Sequence, residues 1–311
     1  MSEYPSIWAH LVGRADRLAG CLVGLAVGDA LGAPLEFLPR DQVRKRFPQS
    51  LREMTASSLW NKGEYTDDTQ MALLIAESLL QNEGFVASDV ATRFQTWATA
   101  ATDVGIQTRA VVNMTGYVED PERCAWQYYT DHPDSSAGNG ALMRCAPIAL
   151  FCLSSSKDLV EMSRASARVT HHDPRAQSSC VILNGCIRAA ICNNVRDART
   201  EALALIRDSE RPAWHRLEQI ENYREQEISS SGYTVHTLEA ALWSFLTTES
   251  YEHAVVRAAN LGGDADTVAA VCGALAGAYY GYSAIPERWR EQLQDEARIR
   301  EVALALGHTS A

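Results

Sequence analysis

Residues 20–32 read Gly20-Cys21-Leu22-Val23-Gly24-Leu25-Ala26-Val27-Gly28-Asp29-Ala30-Leu31-Gly32, with a glycine at every fourth position. A second ladder, Gly273, Gly277 and Gly281, stands near the other end of the chain. Four-residue spacing puts each set on one face of a helix. A glycine inside a helix costs about 1 kcal/mol relative to alanine, so a run of them needs a compensating gain. That gain is close helix–helix approach along a stripe without side chains, the logic of small residues between membrane helices. The two helices are expected to lie centrally and to pack on each other. The apolar stretch from Leu18 to Val27 stops at Asp29. It falls short of about 18 consecutive apolar residues, so no membrane span is expected.

Outward from the ladders, the periodicity is helical. Met71 to Leu80 reads MALLIAESLL, with apolar residues at three- and four-residue spacing. Leu159 to Val169, Ser178 to Cys192, Leu238 to Leu246 and Val268 to Tyr280 repeat the pattern. Strand-like alternation is scarce. Breaks are short and carry Gly, Pro, Asn or Asp, and Ser229 to Gly232 is the most linker-like piece. The pattern predicts one compact all-α domain. The 311 residues are 46% apolar and 22% charged, an ordinary globular composition. Their formal charge of −11 disfavours nucleic acid and anionic membranes as partners. The N-terminus lacks a basic region followed by an apolar core, so no secretory signal is expected. Eight cysteines without C-x-x-C pairs fit neither a zinc ribbon nor a disulfide scaffold, and a reducing cytoplasm is expected.

The chemistry concentrates in acidic segments. Thr66-Asp67-Asp68-Thr69 precedes the Met71 helix, and Gly262-Gly263-Asp264-Ala265-Asp266-Thr267 precedes the Val268 helix. Carboxylate and hydroxyl oxygens suit hard divalent cations. The Gly pair allows a sharp turn, and the D-x-D-T alternation places two carboxylates and a hydroxyl close together. The two segments would form halves of a dinuclear site if the fold brings them together. The alternative is two acidic helix caps. Neither segment has the EF-hand ligand pattern. Glu36 follows Pro34 in apolar surroundings, either desolvated for a site or a solvated loop residue. Ser136-Ala137-Gly138-Asn139-Gly140-Ala141-Leu142-Met143-Arg144 is a Gly-rich turn of the kind that presents free N–H groups to phosphate.

GLAVGDALGAPLEF (24–37), TDDT (66–69), SAGNGALMR (136–144) and NLGGDADT (260–267) together resemble the ADP-ribosylglycohydrolases, in the family's order. Within the family the resemblance is to its nitrogenase-reductase-activating and ADP-ribosylarginine hydrolase branches. It covers about residues 16 to 285 and divides the chain into an N-terminal extension, 1–15, and a domain, 16–311. It implies an all-α fold with two Mg²⁺ or Mn²⁺ ions at the base of a cleft. It places Thr66, Asp67, Asp68, Asp264, Asp266 and Thr267 on the metals, with Glu36 beside them. Asp103, in Thr102-Asp103-Val104-Gly105, matches an aspartate implicated in handling the arginine-linked substrate; otherwise it is a surface helix terminus. Gly105 accompanies it as a substrate-binding position. Gly138, Asn139 and Gly140 match the loop that cradles the diphosphate. His171 matches a histidine near the nucleotide and Tyr233 a ring at the cleft; structural roles are the alternatives for both.

The implied activity is metal-dependent removal of ADP-ribose from a modified protein side chain, with arginine the expected linkage, through an oxocarbenium-like state. Asp67, Asp103 and Glu36 are the expected catalytic residues, the last two moving a proton at the leaving group or water. Serine-linked or O-acyl-ADP-ribose is the alternative substrate. A partner-binding immunity protein against an ADP-ribosyltransferase is the alternative class, with Tyr4, Pro5, Ile7 and Trp8 as a candidate contact arm. A metal-dependent phosphohydrolase would need His–Asp ligand pairs, and the eight histidines do not cluster with the acidic motifs.

Overall fold

A computed structural model describes residues 5–308, with side chains from residue 13 onward. Regular structure among them is helical: α1 (Pro5–Gly32), α2 (Arg40–Arg46), α3 (Asp67–Asn82), α4 (Ala87–Ala98), α5 (Ile106–Val112), α6 (Pro121–Asp131), α7 (Ala146–Phe151) and α8 (Ser156–Arg168). There follow α9 (Pro174–Asn193), α10 (Arg199–Leu203), α11 (Thr234–Leu246), α12 (Tyr251–Ala259), α13 (Ala265–Tyr280), α14 (Glu287–Arg290) and α15 (Glu296–His308). The helical stretches expected from periodicity lie inside these, except that Val169 falls one residue past the end of α8, at its C-cap. The expected contact arm falls outside the description: Tyr4 entirely, and Pro5, Ile7 and Trp8 as side chains.

The two ladders meet. A Cβ on Gly20, Gly24 or Gly28 would collide with the carbonyl oxygen of Gly277, Gly273 or Ala269 respectively. On Gly32 it would stand 2.5 Å from the Ala265 oxygen. α1 and α13 therefore touch backbone to backbone, and the missing side chains are what permits it. Tyr251, on α12, donates its hydroxyl to the Gly24 carbonyl at 2.9 Å across this seam. The two helices also carry Leu22, Leu25, Leu31, Val268, Val271 and Leu275, all buried, each contributing about 1.5–3 kcal/mol of burial.

Residues 13–35 have a mean hydropathy of 1.7 and are long and apolar enough to cross a membrane by length and composition alone. Those from 18 to 35 are all buried inside the protein. α9, α12, α13 and α15 pack around α1 and remove its apolar surface from any solvent. Seven of the eight cysteines are buried, and all eight are unpaired.

Candidate active site

The site grows from Asp29, which follows Gly28 in α1 and is fully buried. Its carboxylate accepts the Thr66 N–H at 2.9 Å, the Thr69 N–H at 3.0 Å and the Thr69 hydroxyl at 2.6 Å. Those N–H groups are among the orphan donors that open α3. Thr66 sits at the N-cap position and makes no side-chain cap of its own. Asp29 does the capping from another helix, so Asp67 and Asp68 are released from it, and both are buried. Asp264, at the N-cap of α13, likewise caps nothing. Its N–H donates to the Ser230 carbonyl at 2.7 Å and its Oδ2 accepts from Asn139 Nδ2 at 2.6 Å. The helix-cap alternative fails for both acidic segments.

The Gly pair brings Glu36 to this place. Gly262 and Gly263 have φ of +68° and +69°, a region open to glycine at no steric penalty. Gly263 donates to the Leu38 carbonyl at 2.8 Å and accepts from the Phe37 N–H at 2.7 Å. The loop after Glu36 is thereby stitched to the turn before Asp264. Thr267 Oγ1 donates to Asp68 Oδ1 at 3.3 Å, tying the two acidic segments together.

Glu36, Asp264 and Asp266 each offer a carboxylate oxygen within 4.8 Å of the others. Asp67 lines the same wall. Asp68 Oδ2 and Asp266 Oδ1 are buried without a hydrogen-bond partner. Burial and mutual repulsion push the group upward. Glu36 is raised to about 8 by burial, then by Asp103, Asp264 and Asp67. Asp67 is raised to about 8 by burial, then by Asp103, Asp29 and Asp264. Asp68, Asp264 and Asp266 are raised in the same sense, chiefly by burial. Asp29 reaches about 6, burial outweighing its threonine hydrogen bonds. Orphaned oxygens and crowded, all-oxygen ligands fit a hard divalent cation.

A cavity of about 390 Å³ opens over these carboxylates. Glu36, Asp67, Asp103, Gly105, Gly138, Asn139, Gly140, His171, Asp264, Asp266 and Thr267 all line it. Asp103 is half-buried in the loop before α5, not a solvated helix end. A Cβ on Gly105 would enter open space. Asn139 is spent on orientation: its Nδ2 reaches Asp264 and, at 2.9 Å, the Thr237 hydroxyl. His171 is buried under the loop, and burial followed by the Arg144 charge lowers it to about 3, so its ring is neutral. Thr66 and Asp68 are buried and are not among the residues that line the cavity. Tyr233 lies next door, in a hollow of about 330 Å³ that shares Gly138 and Gly232 with the main cavity. Its ring packs against His236 and Arg175. A larger hollow of about 940 Å³, near Arg44 and His253, holds none of the expected site residues.

Sequence reasoning missed four contributors. Asp29 lies inside the GLAVGDALGAPLEF motif, where it marks the end of an apolar run and nothing local points to its contacts with Thr66 and Thr69. Ser229 to Gly232 looked like a linker, yet Ser230 and Gly232 carbonyls accept the Asp264 and Asn139 N–H groups. Gln107 lines the cavity. Arg144, the last residue of the Gly-rich motif, is fully buried and stacks on Phe94 at 4.6 Å.

The sequence model of the ADP-ribosylglycohydrolase family matches residues 11–310. The ADP-ribosylarginine hydrolase Tri1 of Pseudomonas putida (strain GB-1) is 34% identical over 301 residues, 94% of this chain and 78% of that protein. The ADP-ribosyl-[dinitrogen reductase] glycohydrolase of Rhodospirillum rubrum is 34% identical over 298 residues, 94% and 95% of the two chains. A solved ADP-ribosylglycohydrolase-related protein complex superposes with TM-score 0.76 at 36% identity, covering 96% of this chain and 100% of the other.

Proposed function

The chain belongs to the ADP-ribosylglycohydrolase family, and we propose that it removes ADP-ribose from modified arginine side chains of a protein. The observation that carries this reading is the meeting of TDDT and DADT under one cavity with Asp103 at its rim. Thr66, Asp67, Asp68, Asp264, Asp266 and Thr267 would hold two divalent cations, Mg²⁺ or Mn²⁺, with Glu36 beside them. Bound there, the cations would offset the carboxylate charge and polarise ribose hydroxyls and water.

The chain's own groups do the rest. The backbone N–H groups around Gly138 and Gly140 hold the diphosphate, so that an acidic protein binds an anionic ligand without a basic patch. The ribose is then held over the carboxylates, its anomeric carbon facing Asp103 and Glu36. Departure of the guanidine leaves an oxocarbenium-like sugar and requires a proton on the departing nitrogen, while attacking water must lose one. We assign these transfers to Asp103 and Glu36, whose side chains both line the cavity. Asn139 keeps Asp264 in orientation, and Asp29 keeps Asp67 and Asp68 in theirs. The unpaired cysteines support a reducing compartment as the place of work.

The test uses two peptides, one ADP-ribosylated on arginine and one on serine, each incubated with the protein and Mg²⁺ or Mn²⁺. Release of ADP-ribose from the arginine peptide is expected. Release from the serine peptide alone would replace the arginine assignment with an O-linked one. Release from neither, with tight binding to a transferase through residues 1–15, would replace catalysis with partner occlusion.

A further inference from the structure

Among the described residues, the two most exposed large apolar side chains are Ile106, at 87%, and Phe37, at 77%. Scattered exposed hydrophobics are ordinary and need no explanation. These two are not scattered, because both line the same cavity. Each is also tied in sequence to one of the carboxylates assigned to proton transfer. Phe37 follows Glu36 directly, and Ile106 stands three residues after Asp103. Those carboxylates are near enough for the Asp103 charge to raise Glu36. The apolar pair therefore belongs to the reacting end of the cavity.

Phe37 is held there against its own preference. Its φ is +59°, the left-handed region, where a bulky side chain is an outlier. Its N–H donates to the Gly263 carbonyl at 2.7 Å, and the Leu38 carbonyl accepts from the Gly263 N–H at 2.8 Å. The backbone is thus pinned on both sides of the phenylalanine. Ile106 opens α5 just after Gly105, and it is exposed while its neighbours Gln107 and Thr108 are buried. Neither Phe37 nor Ile106 belongs to the apolar core, so packing of the fold does not account for them. A strained, exposed aromatic beside a reaction centre points to contact with a ligand.

We propose that Phe37 and Ile106 grip the methylene stem of the modified arginine and so favour an arginine linkage over a serine one. This rests on the reading that the chain removes ADP-ribose from arginine. With the anomeric carbon over the carboxylates, the departing side chain leads away past these two residues. The arginine stem, three methylenes between guanidine and Cα, is the apolar part of the substrate next to the reacting bond. Ribose and diphosphate offer hydroxyls and charge there. The adenine face is apolar too, but it lies across the diphosphate from that bond. A serine linkage has one methylene and brings its polar backbone to the place of the stem. Each methylene removed from water is worth about fourfold in affinity, so an apolar pair discriminates by the length of the stem.

The test compares two small substrates that differ only in the stem: ADP-ribosylated agmatine, which has an alkyl chain, and ADP-ribosylated methylguanidine, which has a methyl group. An arginine-linked peptide is the third. In the Mg²⁺-loaded protein, kcat/KM for the agmatine compound should exceed that for the methylguanidine compound by roughly tenfold or more. Phe37→Asn, which suits the left-handed backbone, and Ile106→Ser should each lower this ratio by roughly threefold, and the double variant should bring it near unity. Phe37→Leu and Ile106→Val keep an apolar surface and should keep most of the ratio. A ratio near unity in the parent, or one that survives the double variant, overturns the proposal and leaves the proposed function standing. Stacking of Phe37 on adenine would slow both small substrates together, leave the ratio intact and so overturn the stem assignment. A loss confined to the peptide would give the pair to residues flanking the arginine and overturn it as well. Failure of the parent to cleave any of the three compounds would overturn the arginine reading and this proposal with it.

Discussion

Alanine placed on one helix at two positions should have opposite effects. Gly13 and Gly28 both lie in α1. A Cβ on Gly13 meets nothing within 4 Å, so Gly13→Ala should gain helix propensity alone. That gain is about 0.8–1.0 kcal/mol. A Cβ on Gly28 would overlap the Ala269 carbonyl oxygen and lie 2.5 Å from its carbon and 2.9 Å from Ala270 N. All three are backbone atoms that cannot rotate away. Relief requires α1 and α13 to separate, which unpacks their whole seam. Overpacking costs about 1–3 kcal/mol, and this site, hemmed in by backbone, belongs at or beyond the upper end. Net of the propensity gain, Gly28→Ala should lose about 2 kcal/mol, while Gly13→Ala gains up to about 1. Urea unfolding followed by far-ultraviolet circular dichroism measures both. Equal midpoint shifts of the same sign would refute the claim that the ladder exists for backbone contact.

Asp29→Ala removes the acceptor of three buried donors and should destabilise the protein by about 2–4 kcal/mol, since each orphaned donor costs about 1–3; relief of carboxylate repulsion offsets only part of this, and urea unfolding checks it. Stability without cations should depend on pH in a defined direction. Asp29 is raised to about 6, and Glu36 and Asp67 to about 8. The folded protein therefore holds more protons than the unfolded chain, and stability present below about pH 4 is lost as pH rises through 8. The melting temperature in chelator should fall between pH 5 and 8.5, and millimolar Mg²⁺ or Mn²⁺ should remove the fall; a flat profile in chelator contradicts this. Asp103→Asn should slow turnover of an arginine-linked substrate by roughly 100-fold or more in a single-turnover assay. Its melting temperature should stay near the parent's, because Asp103 is only half-buried.

What the sequence made legible was local. The ladders declare their own packing because close approach needs glycine at four-residue intervals, and the acidic segments declare themselves because like charges sit side by side. What escaped it were contacts between distant residues. Asp29 caps α3 from 37 positions upstream in the chain, while capping rules look only at neighbours. Ser229 to Gly232 has the composition of a linker, but composition is silent about which carbonyls face an aspartate N–H. Gln107 is held by a carbonyl 63 residues away. The acidity of the chain has a local source: part of the formal −11 comes from carboxylates gathered under one cavity rather than spread over the surface.

The most direct test follows a protein ADP-ribosylated on arginine through a single turnover with this enzyme, with mass spectrometry of the modified side chain. With Mg²⁺ or Mn²⁺ present, free ADP-ribose and an intact, unmodified arginine should appear, and both should fail to appear after chelation or in Asp67→Ala. Undiminished release by the chelated enzyme or by Asp67→Ala would contradict the account.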